Sequence, residues 1–211
     1  MRSNPKMACI ALMLSALNLQ AADAWIPMFD GKTLAGWKKA AIPGSGEVSV
    51  KDGTLRLGKG PMTGVAWAAD FPRSGYEVRF EAARLEGNDF FASIVFPVND
   101  THCSWISGGW GGKVVGLSNL DGDDASENNT TSSHEFVQGR WYSFRLMVTA
   151  HRIQAWIDGA PVIDADITGR DVSLRFDDTE LLRPFGFVSY RTVGAVRNVE
   201  YRRIADPAGP R

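Results

Sequence analysis

Four glycines surround one tryptophan in Gly108-Gly-Trp-Gly-Gly112, and the acidic run Leu120-Asp-Gly-Asp-Asp-Ala-Ser-Glu-Asn128 follows shortly after. Glycine lets backbone approach a ligand closely, and an exposed indole offers a flat face to the C–H groups of a sugar ring. The same glycines also suit a tight bulge with Trp110 as ordinary core, and both readings stand. Cleaving a glycosidic bond ordinarily takes two carboxyl groups, one to protonate the leaving oxygen and one to attack or to activate water. Glu77, Glu81, Asp89 and Glu127 are the candidates on faces turned from the core. No pair of them forms a recognisable glycanase signature, and an E-x-D-x-x-E strand is missing. Arg79, Arg145 and Arg191 could steady a developing negative charge, and His102 or His134 could carry a proton. Glu77, Arg79 and Glu81 alternate along one strand face, which is also how a solvated sheet face looks.

Ligand contacts fall to aromatic and amide side chains. Trp105, Trp110, Trp156 and Tyr190 are candidates for stacking on a sugar, with Gln154 on the face of Trp156 and Asn128 closing the acidic run. Trp37 and Trp141 read as plugs of the core near strand ends. Asp121 and Asp123, helped by Asp124 and Glu127, could offer oxygens to a divalent cation such as calcium. Their spacing is not that of an EF-hand loop, and a solvated turn accounts for the same residues.

Strands must position all of these groups. In Tyr76–Ala82 the residues Tyr76, Val78, Phe80 and Ala82 face one way and Glu77, Arg79 and Glu81 the other. Trp141–Val148 repeats the alternation, with Tyr142, Phe144, Leu146 and Val148 opposite Ser143, Arg145 and Met147. Arg152–Ile157 and Pro161–Ile167 flank Asp158-Gly159, a hairpin turn dipeptide. Val172–Phe176, Gly186–Arg191 and Val196–Arg203 read as further strands, and Asp89–Pro97 and Ser104–Trp110 as more continuously apolar central ones. Many short strands, glycine-rich turns and no βα alternation predict an all-β sandwich. The longest irregular stretch, Asn119–Gln138, has the length of a functional or disordered loop.

Composition narrows the function classes. The chain has 211 residues and a formal net charge of −1, without the clustered basic face that nucleic acid demands. Arg2 and Lys6, the apolar stretch Met7–Leu19 and the small residues Ala22-Asp-Ala24 resemble a secretory leader, so residues 1–24 are expected to be removed on export to the periplasm or outside. No segment after them is apolar for long enough to span a membrane as a helix. Cys9 would leave with the leader, and Cys103 would remain as a lone, buried thiol. One domain over residues 25–205 and a loose tail over 206–211 complete the expected organisation.

The stretch Trp25-Ile-Pro-Met-Phe-Asp-Gly-Lys-Thr-Leu-Ala-Gly-Trp37 resembles the FDGKTLxGW opening of the 3-keto-disaccharide hydrolase-like family. Tyr76–Leu85, Asp89–Val98, Gly108–Gly112, Trp156–Gly159 and Val196–Asn198 follow in the order such domains use, so the resemblance spans roughly Trp25 to Ile204. It implies a concanavalin A-like two-sheet sandwich of the laminin-G or jelly-roll kind, acting on carbohydrate. It also implies a route to glycoside cleavage through a sugar already oxidised to a ketone at C3, with a sugar 3-oxidoreductase as pathway partner. A base removes the acidified C2 proton, the C1 substituent leaves, and water adds back. Glu81, Asp89 or Glu127 would be the carboxylates, Arg79 or Arg191 the oxyanion partners, and His102 a proton carrier. A laminin-G-like module that binds carbohydrate without turning it over is the alternative.

Overall fold

The structure, a computed structural model, describes residues 24–206. The leader, Cys9 and nearly all of the tail therefore lie outside the described residues. Two antiparallel sheets face each other. The first runs β13 (Ala160–Asp166), β12 (Arg152–Ile157), β11 (Trp141–Val148), β6 (Tyr76–Glu86), β15 (Val193–Arg203), β4 (Thr54–Leu57) and β3 (Val48–Lys51), with β1 (Ile26–Pro27) added to β15. The second runs β10 (Ser132–Ser133), β9 (Val114–Ser118), β8 (Thr101–Gly108), β7 (Ser93–Val98), β14 (Gly186–Ser189), β5 (Thr63–Trp67) and β2 (Trp37–Lys39). This is the all-β sandwich that the alternation predicts, of the jelly-roll kind that the resemblance implies.

Alternation decides which faces meet. Tyr76, Val78, Phe80 and Ala82 of β6 pack inward beside Tyr142, Phe144, Leu146 and Val148 of β11, all buried. The register pairs Phe144 with Phe80, and their rings stack in parallel with centroids 5.0 Å apart. Each such side chain contributes roughly 1.5–3 kcal/mol through apolar area removed from water. From the second sheet Ile94, Phe96, Cys103, Trp105, Leu117 and Phe187 fill the same core. Burial pushes the Cys103 thiol up to about 12, which leaves it inert at neutral pH.

Three readings of the sequence need correction. Asp89–Ala92 lies outside β7, which begins at Ser93, so Asp89 sits on a loop rather than within a strand. Val172–Phe176 is no strand; Val172 makes one isolated bridge to Leu120, and the chain runs on as a loop into the 3-10 turn Asp178–Leu182. Trp37 is buried and donates its indole N–H to the Met28 carbonyl at 2.7 Å, but Trp141 is a surface residue of the first sheet rather than a core plug. Position 141 shares its face with Ser143 and Arg145, so the pleat turns it outward.

Candidate functional site

The outer face of the second sheet carries a cleft of about 560 Å³, inside the range usual for small-ligand sites. Ser104 and Ile106 of β8 and Ser118 of β9 form its floor, because outward positions on neighbouring strands line up in register. Asp89 and Phe90 come from the β6–β7 loop, Trp110 from the β8–β9 turn, Arg175, Phe176 and Asp177 from the loop before the 3-10 turn, and Tyr190 from the end of β14. Asp89 accepts a hydrogen bond from the Phe90 amide at 2.8 Å and makes no ion pair among the described residues. Asp177 caps the 3-10 turn by accepting from the Thr179 amide at 2.8 Å. Arg175 donates to Asp124 at 3.1 Å. Tyr190 stacks on Phe90 with centroids 5.6 Å apart, and Arg191 lies 5.1 Å over the Tyr190 ring.

The walls are aromatic and exposed. Trp110 keeps 45% of its surface accessible, and Phe176 is fully exposed. Trp110 and Gly111 both have left-handed backbone (φ 48 and 87), as the two central residues of a type I′ hairpin turn do. Asn, Asp or Gly would sit there without strain, whereas a bulky side chain pays about 1–3 kcal/mol. Eight non-glycine residues have positive φ among the described residues, and five of them are Asp or Asn. The other three, Ala92, Trp110 and Arg191, all belong to segments bordering this cleft. Strain collected around one concavity is a mark of a functional site.

The remaining sequence candidates are scattered. Glu81 and Arg79 stand on the outer face of the first sheet, across the whole sandwich from Asp89. There Glu81 pairs with Arg197 at 2.5 Å and Arg79 with Glu200 at 2.6 Å, beside a hollow of about 480 Å³. Trp156 and Gln154 share that face; the Arg145 guanidinium lies 4.4 Å over the Trp156 ring. Arg145 and Arg202 both clasp Glu77, whose side chain is only 2% exposed. Trp105 is wholly buried against Phe144 and offers no face to a ligand. The Asn128 amide is spent inside its own loop, donating to the Leu117, Asp123 and Asp124 carbonyls and accepting from Thr130, so it braces the loop instead of meeting a sugar. Glu127 is exposed on that loop, outside the cleft lining. His102 shares the outward face of β8 with Ser104, but burial first, then Arg183 and Arg73, lowers its pKa to about 4. It is therefore neutral at pH 7 and too weak a base to take a proton readily.

A family model described as a 3-keto-alpha-glucoside-1,2-lyase-like domain matches residues 24–204. The chain belongs to this family. No curated protein sequence matches this chain. Solved structures show its fold. The Crh5 transglycosylase in complex with NAG is 15% identical with a TM-score of 0.61, covering 89% of this chain and 87% of that one. The carbohydrate-binding module CBM66 from Bacillus subtilis is 12% identical at 0.53, covering 79% and 95%. A Bacillus subtilis protein of unknown function with a galectin-like fold is 13% identical at 0.53, covering 87% and 96%. Family and neighbours together support a carbohydrate-related function for this chain.

The carboxylates of the acidic loop are engaged in part by partners of their own. Asp121 accepts from the Asp171 amide and from Arg170, contacts that hold its pKa below the usual carboxylate range. Asp124 is drawn to Arg175 and to Ser126, and Asp123 stands exposed. Among the described residues no three His, Cys, Asp or Glu side chains gather as a ligand set. Nor, among these residues, is any helix long and apolar enough to cross a membrane. Sequence reasoning missed Arg175, Asp177 and Phe176 as cleft residues. The cue was there: Asp177-Asp-Thr-Glu180 repeats the acidic pattern, and an Asp three residues before Glu is a helix-capping arrangement.

Proposed function

We propose that the second-sheet cleft cleaves the glycosidic bond of 3-keto-glycosides or 3-keto-disaccharides by elimination and rehydration. What carries the reading is one conjunction: Asp89, a carboxylate without an ion-pair partner among the described residues, lines the same cleft as an exposed, strained tryptophan. A sugar ring stacks on Trp110 with its C2–H turned to Asp89. Asp89 takes that proton, and the C2–H electrons pass into the enolate of the C3 ketone. Arg175, which has N–H groups beyond the one given to Asp124, holds the enolate oxygen. The C1–O bond then breaks, and its electrons leave on the aglycone oxygen, which takes a proton from the Tyr190 hydroxyl. Water adds across the new C1=C2 bond, hydroxyl to C1 and hydrogen to C2, and one water is consumed overall. Asp89 and Tyr190 act as a base and acid pair.

The substrate carries a ketone that a sugar 3-oxidoreductase must first install, and the leader-like residues 1–24 support a reaction in the periplasm or outside the cell. The test is release of the leaving group from an aryl 3-keto-glucoside, with the plain aryl glucoside run beside it, in the presence and absence of chelator. Release from the keto compound alone, unaffected by chelator, is the expected result. No release from either by folded protein that still binds the sugar would leave a carbohydrate-binding module instead.

A further inference from the structure

Arg84 sits on β6 beneath the tryptophan turn, and its charge has no carboxylate partner among the described residues. Its residue surface is 9% exposed, so the guanidinium is held between the sheets at one end of the sandwich. One terminal nitrogen donates to the Gly112 carbonyl at 3.2 Å and the other to the Phe136 carbonyl at 2.6 Å, while the inner Nε–H has no hydrogen-bond partner among the described residues. Apart from the Phe91 ring, 5.8 Å from the guanidinium, this buried cation meets only two neutral acceptors among the described residues, which is costly. A methionine would fill the same space without that cost, so packing alone does not account for a guanidinium here.

The two accepting carbonyls explain the choice. Gly112 ends the turn that carries Trp110, and Phe136 belongs to the segment that packs against the start of that turn. A Cβ built on Gly108 would come within 3.2 Å of the Phe136 ring, and one built on Gly112 within 2.8 Å of Arg84 Nη1. Gly112 also holds φ 109, a conformation that glycine adopts freely. Arg84 thus reaches into space that only glycine leaves, and ties the far end of a strained turn to the sheet. Lys113 donates to Gly109 at 3.2 Å, but that contact closes the turn on itself without fixing it to the rest of the domain.

We infer that Arg84 is the positioning residue for Trp110: its two hydrogen bonds hold the turn in the left-handed conformation that presents the indole to the cleft. The inference rests on the proposed sugar site for its purpose, yet its geometry can be read without substrate. Trp110 is one of seven tryptophans, so its signal is taken as the difference between a protein and the same protein carrying Trp110→Phe.

The experiment compares wild type, Arg84→Met and Arg84→Lys by acrylamide quenching of the Trp110 difference signal, and by KM and kcat on an aryl 3-keto-glucoside. In Arg84→Met the quenching constant of Trp110 shifts, and KM rises about tenfold with kcat held within about threefold. Arg84→Lys, which keeps the charge but reaches one carbonyl, falls between. On a Trp110→Ala background Arg84→Met adds nothing further to KM, as expected when two residues act through one contact. Unchanged Trp110 quenching in either folded variant overturns the inference. If Arg84→Met does not fold, Arg84→Lys alone decides by the same criterion, with Arg84→Gln standing in should Lys also fail. A wild type that turns over no keto-glucoside, alongside altered quenching in the variants, would sink the sugar reading and leave the positioning role standing.

Discussion

The two outer faces of this sandwich are built from the same residue types and employ them differently. On the first sheet Trp25, Trp141 and Trp156 each lie beneath a guanidinium, that of Arg79 at 4.1 Å, Arg197 at 4.1 Å and Arg145 at 4.4 Å. Those arginines are tied in turn to Glu200, Glu81 and Glu77. A sugar arriving there must displace a cation from the ring, giving up about 0.5–1 kcal/mol of cation–π attraction before any stacking begins. On the second sheet no arginine covers Trp110 among the described residues, and Asp89 has no ion-pair partner there. An outward aromatic is a binding platform only when nothing already occupies its face.

Substitutions on each face can break or sharpen that contrast. The largest effect belongs to Asp89→Asn, which should lower kcat on a keto-glycoside by about 10²–10⁴-fold, the usual worth of a general base. Glu81→Gln on the other face should leave turnover within about twofold, since its partner Arg197 is itself 40% exposed and such pairs contribute little. Steady-state kinetics on both variants reads the difference. Next comes Glu77→Gln, a stability effect without a catalytic one. Removing the carboxylate leaves Arg145 and Arg202 facing each other over a buried amide, at about 2–3 kcal/mol measured by denaturant unfolding, less than a fully buried pair because both arginines reach solvent.

A smaller effect has opposite signs for stability and function. Trp110→Asn places a residue that tolerates left-handed backbone at the strained position, so unfolding should become harder by about 1 kcal/mol. Sugar affinity should meanwhile fall about tenfold through loss of the stacking face. Thermal melts and titration of the same sample check both.

The smallest effect is a pH slope. Burial lowers the His102 pKa from 6.5 to about 4, so below pH 6.5 the unfolded chain binds a proton that the folded chain refuses. Stability from this residue is complete above about pH 6.5 and declines as the pH falls towards 4, and His102→Asn should flatten that part of the curve.

Much of the fold was legible because alternation is local. Tyr76 to Ala82 and Trp141 to Val148 declare their inward residues by spacing alone, and Asp158-Gly159 declares its turn with φ of 50 and 78. The site was legible in part. Trp110, Asp89 and Tyr190 were recognisable by type, and all three line one cleft. Register across strands was not legible, and it decides what covers an outward side chain. Trp156 was placed on the correct face, but the guanidinium above it comes from its cross-strand partner Arg145. Glu81 and Asp89 lie eight positions apart on one chain and end on opposite faces, because the chain crosses from one sheet to the other between β6 and β7. Arg175 was hidden because Val172–Phe176 has strand-like residue types, while the capping of the 3-10 turn by Asp177 draws the segment into a loop.

The most direct measurement is a crystal structure of the Asp89→Asn variant soaked with a 3-keto-disaccharide. The account predicts the sugar in the second-sheet cleft, one ring flat against Trp110, the C2 carbon facing position 89 and the C3 oxygen towards Arg175. A sugar found in the hollow of the first sheet, beside Arg79 and Glu81 with Trp110 bare, would contradict it.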